Sequence, residues 1–246
     1  MHRSLVGFGL ALSGWCSLAL AQTENQTTEY DILGFKTGMT IEETDAKFIE
    51  LGWIKTDERA FIINGTDIEF ISGRTYKNAN AEGYQDQIQV EFSKPPADRR
   101  IIRLYRDYKP FGPLGGNSNL LPLEQMKASV VKRYGPFHGV KNATRAQVLK
   151  WSTDLDPEKC ANHSPGEFRI NPSSGRSIVP NCHGLHLSVN MQFTPRNIGP
   201  VITTVWSELI DVDEWRINDV RFNRYAVELQ TEIEEQKAKN AEAPPL

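Results

Sequence analysis

Residues 40–71 read TIEETDAKFIELGWIKTDERAFIINGTDIEFI, and this stretch decides the fold class. Thr40 followed three residues later by Glu43 forms a capping box, in which each side chain accepts from the other's orphaned backbone N–H at a helix start. Ile41, Phe48, Ile49 and Leu51 supply an apolar stripe, and Gly52, which tolerates the left-handed backbone of a helix exit, closes the helix. Ala60-Phe-Ile-Ile and Thr66-Asp-Ile-Glu-Phe-Ile then flank Asn64-Gly65, two residues that accept positive φ and so favour a hairpin. A helix feeding antiparallel strands reads as an α+β fold.

Downstream, Ile88, Val90 and Phe92 alternate with Gln87, Gln89 and Glu91, the pattern of a half-buried strand, which ends at Pro95-Pro96. A strand over Arg100 to Tyr108 follows a short connection, giving a meander with one face on the core and one in water. A loop of Gly, Pro and Asn, Pro110 to Asn119, leads to a second helix running from near Pro122 to Gly135-Pro136. Helix followed by strands thus occurs twice, which suggests a diverged helix-plus-sheet repeat. Further strands are expected over Gln147 to Ser152, Gly184 to Phe193 and Val201 to Ile210. Asp211-x-x-Glu214 then caps a long C-terminal helix carrying Trp215, Ile217, Val220, Tyr225, Leu229 and Ile233 on an imperfect stripe. The expected architecture is an α+β antiparallel meander with helices packed on one face and a long C-terminal helix.

Upstream, Met1-His2-Arg3 is a short basic region, Leu5 to Leu20 is uncharged, and Ala19-Leu20-Ala21 offers small residues to a signal peptidase. Residues 1–21 read as an export signal and Gln22 as the mature start. The apolar run falls short of the roughly 20 residues that span a bilayer, and bulky Trp15 directly before Cys16 argues against lipid attachment. Residues 22–29 read as a flexible lead (Tyr30 to Leu33 as a short strand), 30–236 as the globular region with repeat halves 30–120 and 121–236, and 237–246 as a disordered tail.

Composition is that of an ordinary globular chain: 246 residues, 39% apolar, 24% charged, net charge -3 and mean hydropathy -0.46. Loss of residues 1–21 removes only Arg3 among the charged groups, moving the charge to -4. Without excess positive charge, the main electrostatic term in nucleic-acid binding is missing, so nucleic acid is not an expected partner. Nor is the chain expected to be integral to a membrane after signal cleavage.

Export changes how cysteine is read. Cys160 and Cys182 are an even pair in an oxidising compartment and are expected to close a loop rich in Pro and Gly as a disulfide. The sharper alternative is zinc, because Cys160-x-x-His163 and Cys182-His183-x-x-His186 supply sulfur and imidazole. Against it, alternation in Leu185 to Met191 puts His186 on the polar face with Ser188 and Asn190, where it would be solvated. Asn25, Asn64, Asn142 and Asn162 head glycosylation sequons if the host is a eukaryote.

The commonest hydrolase motifs, Gly-x-Ser-x-Gly and His-Glu-x-x-His, are missing from the sequence, and the Gly112 to Asn119 glycines lack a P-loop's Lys-Ser/Thr. Arg99, Arg100, Arg103, Arg106 and Lys109 would fall on two faces of one strand, which reads as solvated strand edges rather than an anion site. Trp53, Trp151, Trp206 and Trp215 are core by default, with a protein-binding face as the alternative.

Asp31-Ile-Leu-Gly-Phe-Lys-Thr-Gly-Met-Thr-x-x-Glu43, ending at Gly52, resembles the openings of exported bacterial proteins of unassigned function. It is more distantly similar to the helix starts of small outer-membrane-assembly lipoproteins and beta-lactamase inhibitor proteins, with Tyr134-Gly135-Pro136 as a second instance. The resemblance implies helices laid on an antiparallel sheet and action by binding. The expectation is therefore a periplasmic or secreted non-catalytic protein that binds an envelope or extracellular protein or a small ligand, without a cofactor. A zinc-dependent or other extracytoplasmic enzyme, and a secreted inhibitor of a foreign hydrolase, are the alternatives.

Overall fold

The computed structural model describes residues 29–81, 85–110, 121–168, 181–197 and 199–241. The expected signal segment, the lead up to residue 28 with its Asn25 sequon, most of the loop after Pro110 and residues 242–246 lie outside the described residues. The elements run α1 (Ile41–Glu50), β1 (Trp53–Ile62), β2 (Glu69–Asn78), β3 (Gln85–Phe92), β4 (Ile101–Lys109), α2 (Leu123–Tyr134), β5 (Gly139–Ala143), β6 (Ala146–Ser152), α3 (Pro157–Ala161), α4 (Pro165–Phe168), β7 (Leu185–Arg196), β8 (Gly199–Asp211) and α5 (Val212–Ala241).

All eight strands form one antiparallel sheet in the order β1-β2-β3-β4-β8-β7-β6-β5. The order is a palindrome of two helix-led meanders joined along β4 and β8. Alone, each meander would end on an edge strand with unpaired N–H and C=O groups, and the β4–β8 ladder consumes both edges.

One face carries α1 and α2. Register places Arg74, Val90, Leu104, Leu209, Leu187 and Trp151 in one row across six strands, and Tyr76, Ile88, Arg106, Ser207, Val189 and Leu149 in the next. Onto these rows α1 lays Phe48, and α2 lays Leu123 and Val130. Asp45, three residues before Phe48 and so on the same side of α1, accepts from Arg74 and the Tyr76 hydroxyl, and Glu58 closes on Arg74 at 2.6 Å. Burial and the Asp45 charge push Tyr76 well above the usual phenol range. At the end of α2, Trp151 Nε1 donates to the Gly135 carbonyl at 3.0 Å.

Part of the second face is covered by α5 and by α3 and α4. A register shift opposite Ile102 lets it pack there with Cys160, Phe168, Cys182, Ile210, Val212 and Trp215. The helix α5 continues toward the β1–β2 hairpin: Phe222 packs on Phe70 at 5.1 Å, and Gln230 donates to the Asn64 carbonyl at 2.6 Å.

The local expectations for α1 hold in detail, with both halves of the capping box formed and Gly52 at φ 73°. Four elements differ. Tyr30 to Leu33 is not a strand: Leu33 and Gly34 take positive φ in a tight turn that bridges Ile32 to Phe35. The edge strand β5 was not anticipated, because Val140 is its one large apolar residue and no buried face imposes alternation. Pro157–Ala161 and Pro165–Phe168, in and beside the expected loop, are short helices. Finally, α5 runs through Lys237 to Ala241, where a disordered tail was expected. Glu235 and Lys239, four apart on that helix, are of the kind that supports an exposed turn.

Candidate binding face

Beyond the part covered by α3 to α5, the second face continues as two rows. Gln89, Tyr105, Glu208, Ser188 and Lys150 stand side by side on β3, β4, β8, β7 and β6, followed by Gln87, Asp107, Trp206, Asn190 and Val148. Every one of these ten side chains is exposed or half-buried, whereas Ile210, His186 and Ser152 in the preceding row are buried. Antiparallel pairing sets the juxtaposition, since directly opposed residues project to the same side of the sheet.

Trp206 occupies the middle of its row. Asp107 and Asn190 stand directly opposite it on the two neighbouring strands, and the Oδ1 atom of each is enclosed without a hydrogen-bond partner among the described residues. The other Asp107 oxygen lies 3.4 Å from the Lys109 ammonium. Burial, reinforced by the charges of Asp107 and Glu208, pushes the Tyr105 hydroxyl up to about 12, so it stays protonated. Arg103 pairs with Glu208 at 2.6 Å and Glu91 at 3.5 Å, and lies 5.1 Å over the Trp215 ring, tying the rows to α5. The face thus offers aromatic surface beside acceptor oxygens, a combination that suits a partner bringing hydrogen-bond donors and some apolar area.

The four residues singled out as disulfide or zinc ligands do gather in one place, around Phe168. Cys160 and Cys182 are joined as the expected disulfide, Cα atoms 5.7 Å apart, so neither sulfur is a free thiolate. The rings of His163 and His186 pack on Phe168 at 6.5 and 5.2 Å, and His163 Nδ1 lies 3.3 Å from Glu167. Among the described residues no group of three or more His, Cys, Asp and Glu is placed to hold a metal.

His186 overturns the expectation of a solvated ring. It shares its face with Ser188 and Asn190 as alternation requires, but the disulfide segment covers that end of the face and leaves His186 1% exposed. Both ring nitrogens lack partners among the described residues. Burial, then the charges of Lys150 and His163, lower its pKa to about 3. Unfolded, the ring takes a proton below about 6.5; folded, it does not until about 3. Stability from this group is therefore intact above 6.5 and is lost as pH falls toward 3, at up to about 1.4 kcal/mol per pH unit. His186→Leu is expected to flatten the acid side of the thermal-midpoint profile between pH 7 and 4. Parallel profiles for the two proteins would refute this account.

The basic cluster is not a set of strand edges. β4 is central, and its cations are matched by carboxylates: Arg106 makes two 2.8 Å bonds to buried Asp86, Arg103 pairs as above, and Lys109 meets Asp107. Exposed Arg100 lies 3.8 Å from Asp98 and bonds the Gly38 carbonyl, and Arg99 is exposed at positive φ. Of the tryptophans, Trp53, Trp151 and Trp215 are buried, and Trp206 is half-exposed. Alternation in β8 carried that signal, because Trp206 falls in phase with Glu208 and out of phase with Val205 and Leu209. Asp107 and Asn190 carried no comparable mark. Asn64, Asn142 and Asn162 of the sequons are all exposed.

Compared with known families, curated proteins and solved structures, the chain matches none.

Proposed function

We propose that this chain is an exported, non-catalytic binding protein of the cell envelope or extracellular space, and that its partner docks over Trp206. The observation that carries the reading is a half-exposed tryptophan between two enclosed, unpartnered acceptor oxygens on the uncovered part of a sheet. Buried acceptors left unpaired carry a free-energy cost that a donor from a partner would recover. The disulfide, and the fact that no described helix is long and apolar enough to cross a membrane, support an extracytoplasmic setting. The two helix-led meanders agree with what the resemblance to assembly lipoproteins and inhibitor proteins implied, and both are binding modules. The zinc-enzyme alternative would need Cys160 and Cys182 as thiolates, and here they are bonded to each other.

The first check is the intact mass of the exported protein, expected to begin at Gln22, to be short by two hydrogens and to resist alkylation. The second is cross-linking in that fraction, comparing the native chain with a Trp206→Ala/Tyr105→Ala variant. The double variant is expected to fold normally and to lose its partner, with affinity falling at least about tenfold. Retention of the same cross-linked partner at native affinity would refute the assignment of this face.

A further inference from the structure

Between β6 and α3 the chain turns through Thr153, Asp154, Leu155 and Asp156, and there Leu155 is 104% exposed. The turn that presents it is held firmly. Thr153 exchanges hydrogen bonds with Leu185, its N–H donating to the carbonyl at 3.0 Å and its hydroxyl accepting from the N–H at 2.8 Å. Asp154 uses both carboxylate oxygens, accepting from Asp156 N–H at 2.8 Å and His183 N–H at 2.6 Å, while its own N–H donates to Ser152 Oγ. A leucine fixed in water by its neighbours has little backbone freedom left to lose on docking.

Leu155 stands on the rim of an open cleft of about 1050 Å³, whose wall includes Tyr30, Pro136, Pro157 and Leu185. Arg133, with a half-exposed side chain, also lines this cleft, and exposed Asp156 sits next to Leu155 in the turn. Knob and hole therefore lie side by side on one surface, each with an opposite charge beside it. A surface of that kind is complementary to itself about a two-fold axis and closes as a pair rather than growing into a fibre.

We propose that this surface is an interface between two copies of this chain, each seating its Leu155 in the other's cleft. Asp156 accompanies Leu155 into the approach and meets the second copy's Arg133 across the interface. The proposal is independent of the partner assigned to the Trp206 face, which lies elsewhere on the sheet.

Sedimentation of the full mature chain over a concentration series tests it, beside Leu155→Asp and the milder Leu155→Ser. The native chain is expected to show a monomer–dimer equilibrium. Leu155→Asp is expected to raise the dissociation constant at least about thirtyfold, with Leu155→Ser between the two, at an unchanged thermal midpoint of the dilute protein. A native chain that stays monomeric at its highest soluble concentration overturns the proposal. So does a dimer that both variants leave intact.

Discussion

Phe48→Ala is expected to lower stability by about 3–5 kcal/mol, the largest effect of any single substitution in this core. Phe48 is fully buried and stacks between Phe35, at 4.0 Å, and Tyr76, at 3.7 Å, with Trp53 packed at 5.6 Å. Four segments meet at that ring: the N-terminal turn, α1, β1 and β2. No flexible side chain stands by to refill the space, because the neighbours are rings already stacked, so a cavity term adds to the lost transfer energy. Asp45 depends on the same docking to reach Arg74 and Tyr76, and its release would leave a buried guanidinium with Glu58 as its remaining carboxylate partner. For a chain of this size the thermal midpoint should fall by roughly 10 °C. A loss under about 1.5 kcal/mol in urea would mean that α1 is anchored to the sheet by something other than this stack.

Replacing Cys160 and Cys182 together by alanine should cost about 3 kcal/mol, the loop-closure entropy expected of a bridge between residues 22 apart. A second readout separates the bridge from generic destabilisation. The disulfide holds α3 and the chain around Phe168 over the end of the second face, and that cover keeps His186 dry. Without it, the His186 resonance should titrate upward from about 3 toward the ordinary imidazole value near 6.5. Loss of stability with His186 still silent down to pH 4 would show that the cover stays in place without the bridge.

Much of this molecule was legible in the sequence because its causes are local. A capping box needs residues three apart, and Thr40 and Glu43 suffice. A hairpin turn needs two residues that accept positive φ, and Asn64-Gly65 provides them. The repeat of helix and strands, the central alternating strands and the cap on α5 were read from the same short-range chemistry. Where local causes were absent, the reading failed: β5, exposed on the sheet edge, has no apolar period to betray it.

The candidate site was less legible, and Asp107 and His186 show why. Alternation correctly predicts which side of a strand a residue takes, but it cannot say what lies above that side. His186, Ser188 and Asn190 share one face of β7; the first is buried by a disulfide segment near it in sequence, and the other two are left half-open. Asp107 becomes a neighbour of Trp206 only because β4 pairs with β8 across about a hundred residues, and that same pairing places Arg103 and Arg106 mid-sheet among carboxylates rather than at an edge.

By itself, the sequence determined the elements, their turns and caps, the side each strand residue faces and the two cysteines to be joined, since these follow from steric and hydrogen-bonding preferences of neighbouring residues. Tertiary structure alone decided the strand order, the cover over His186 and the opening over Trp206, because each depends on which distant surfaces bury one another, a choice made by the summed packing of the whole chain.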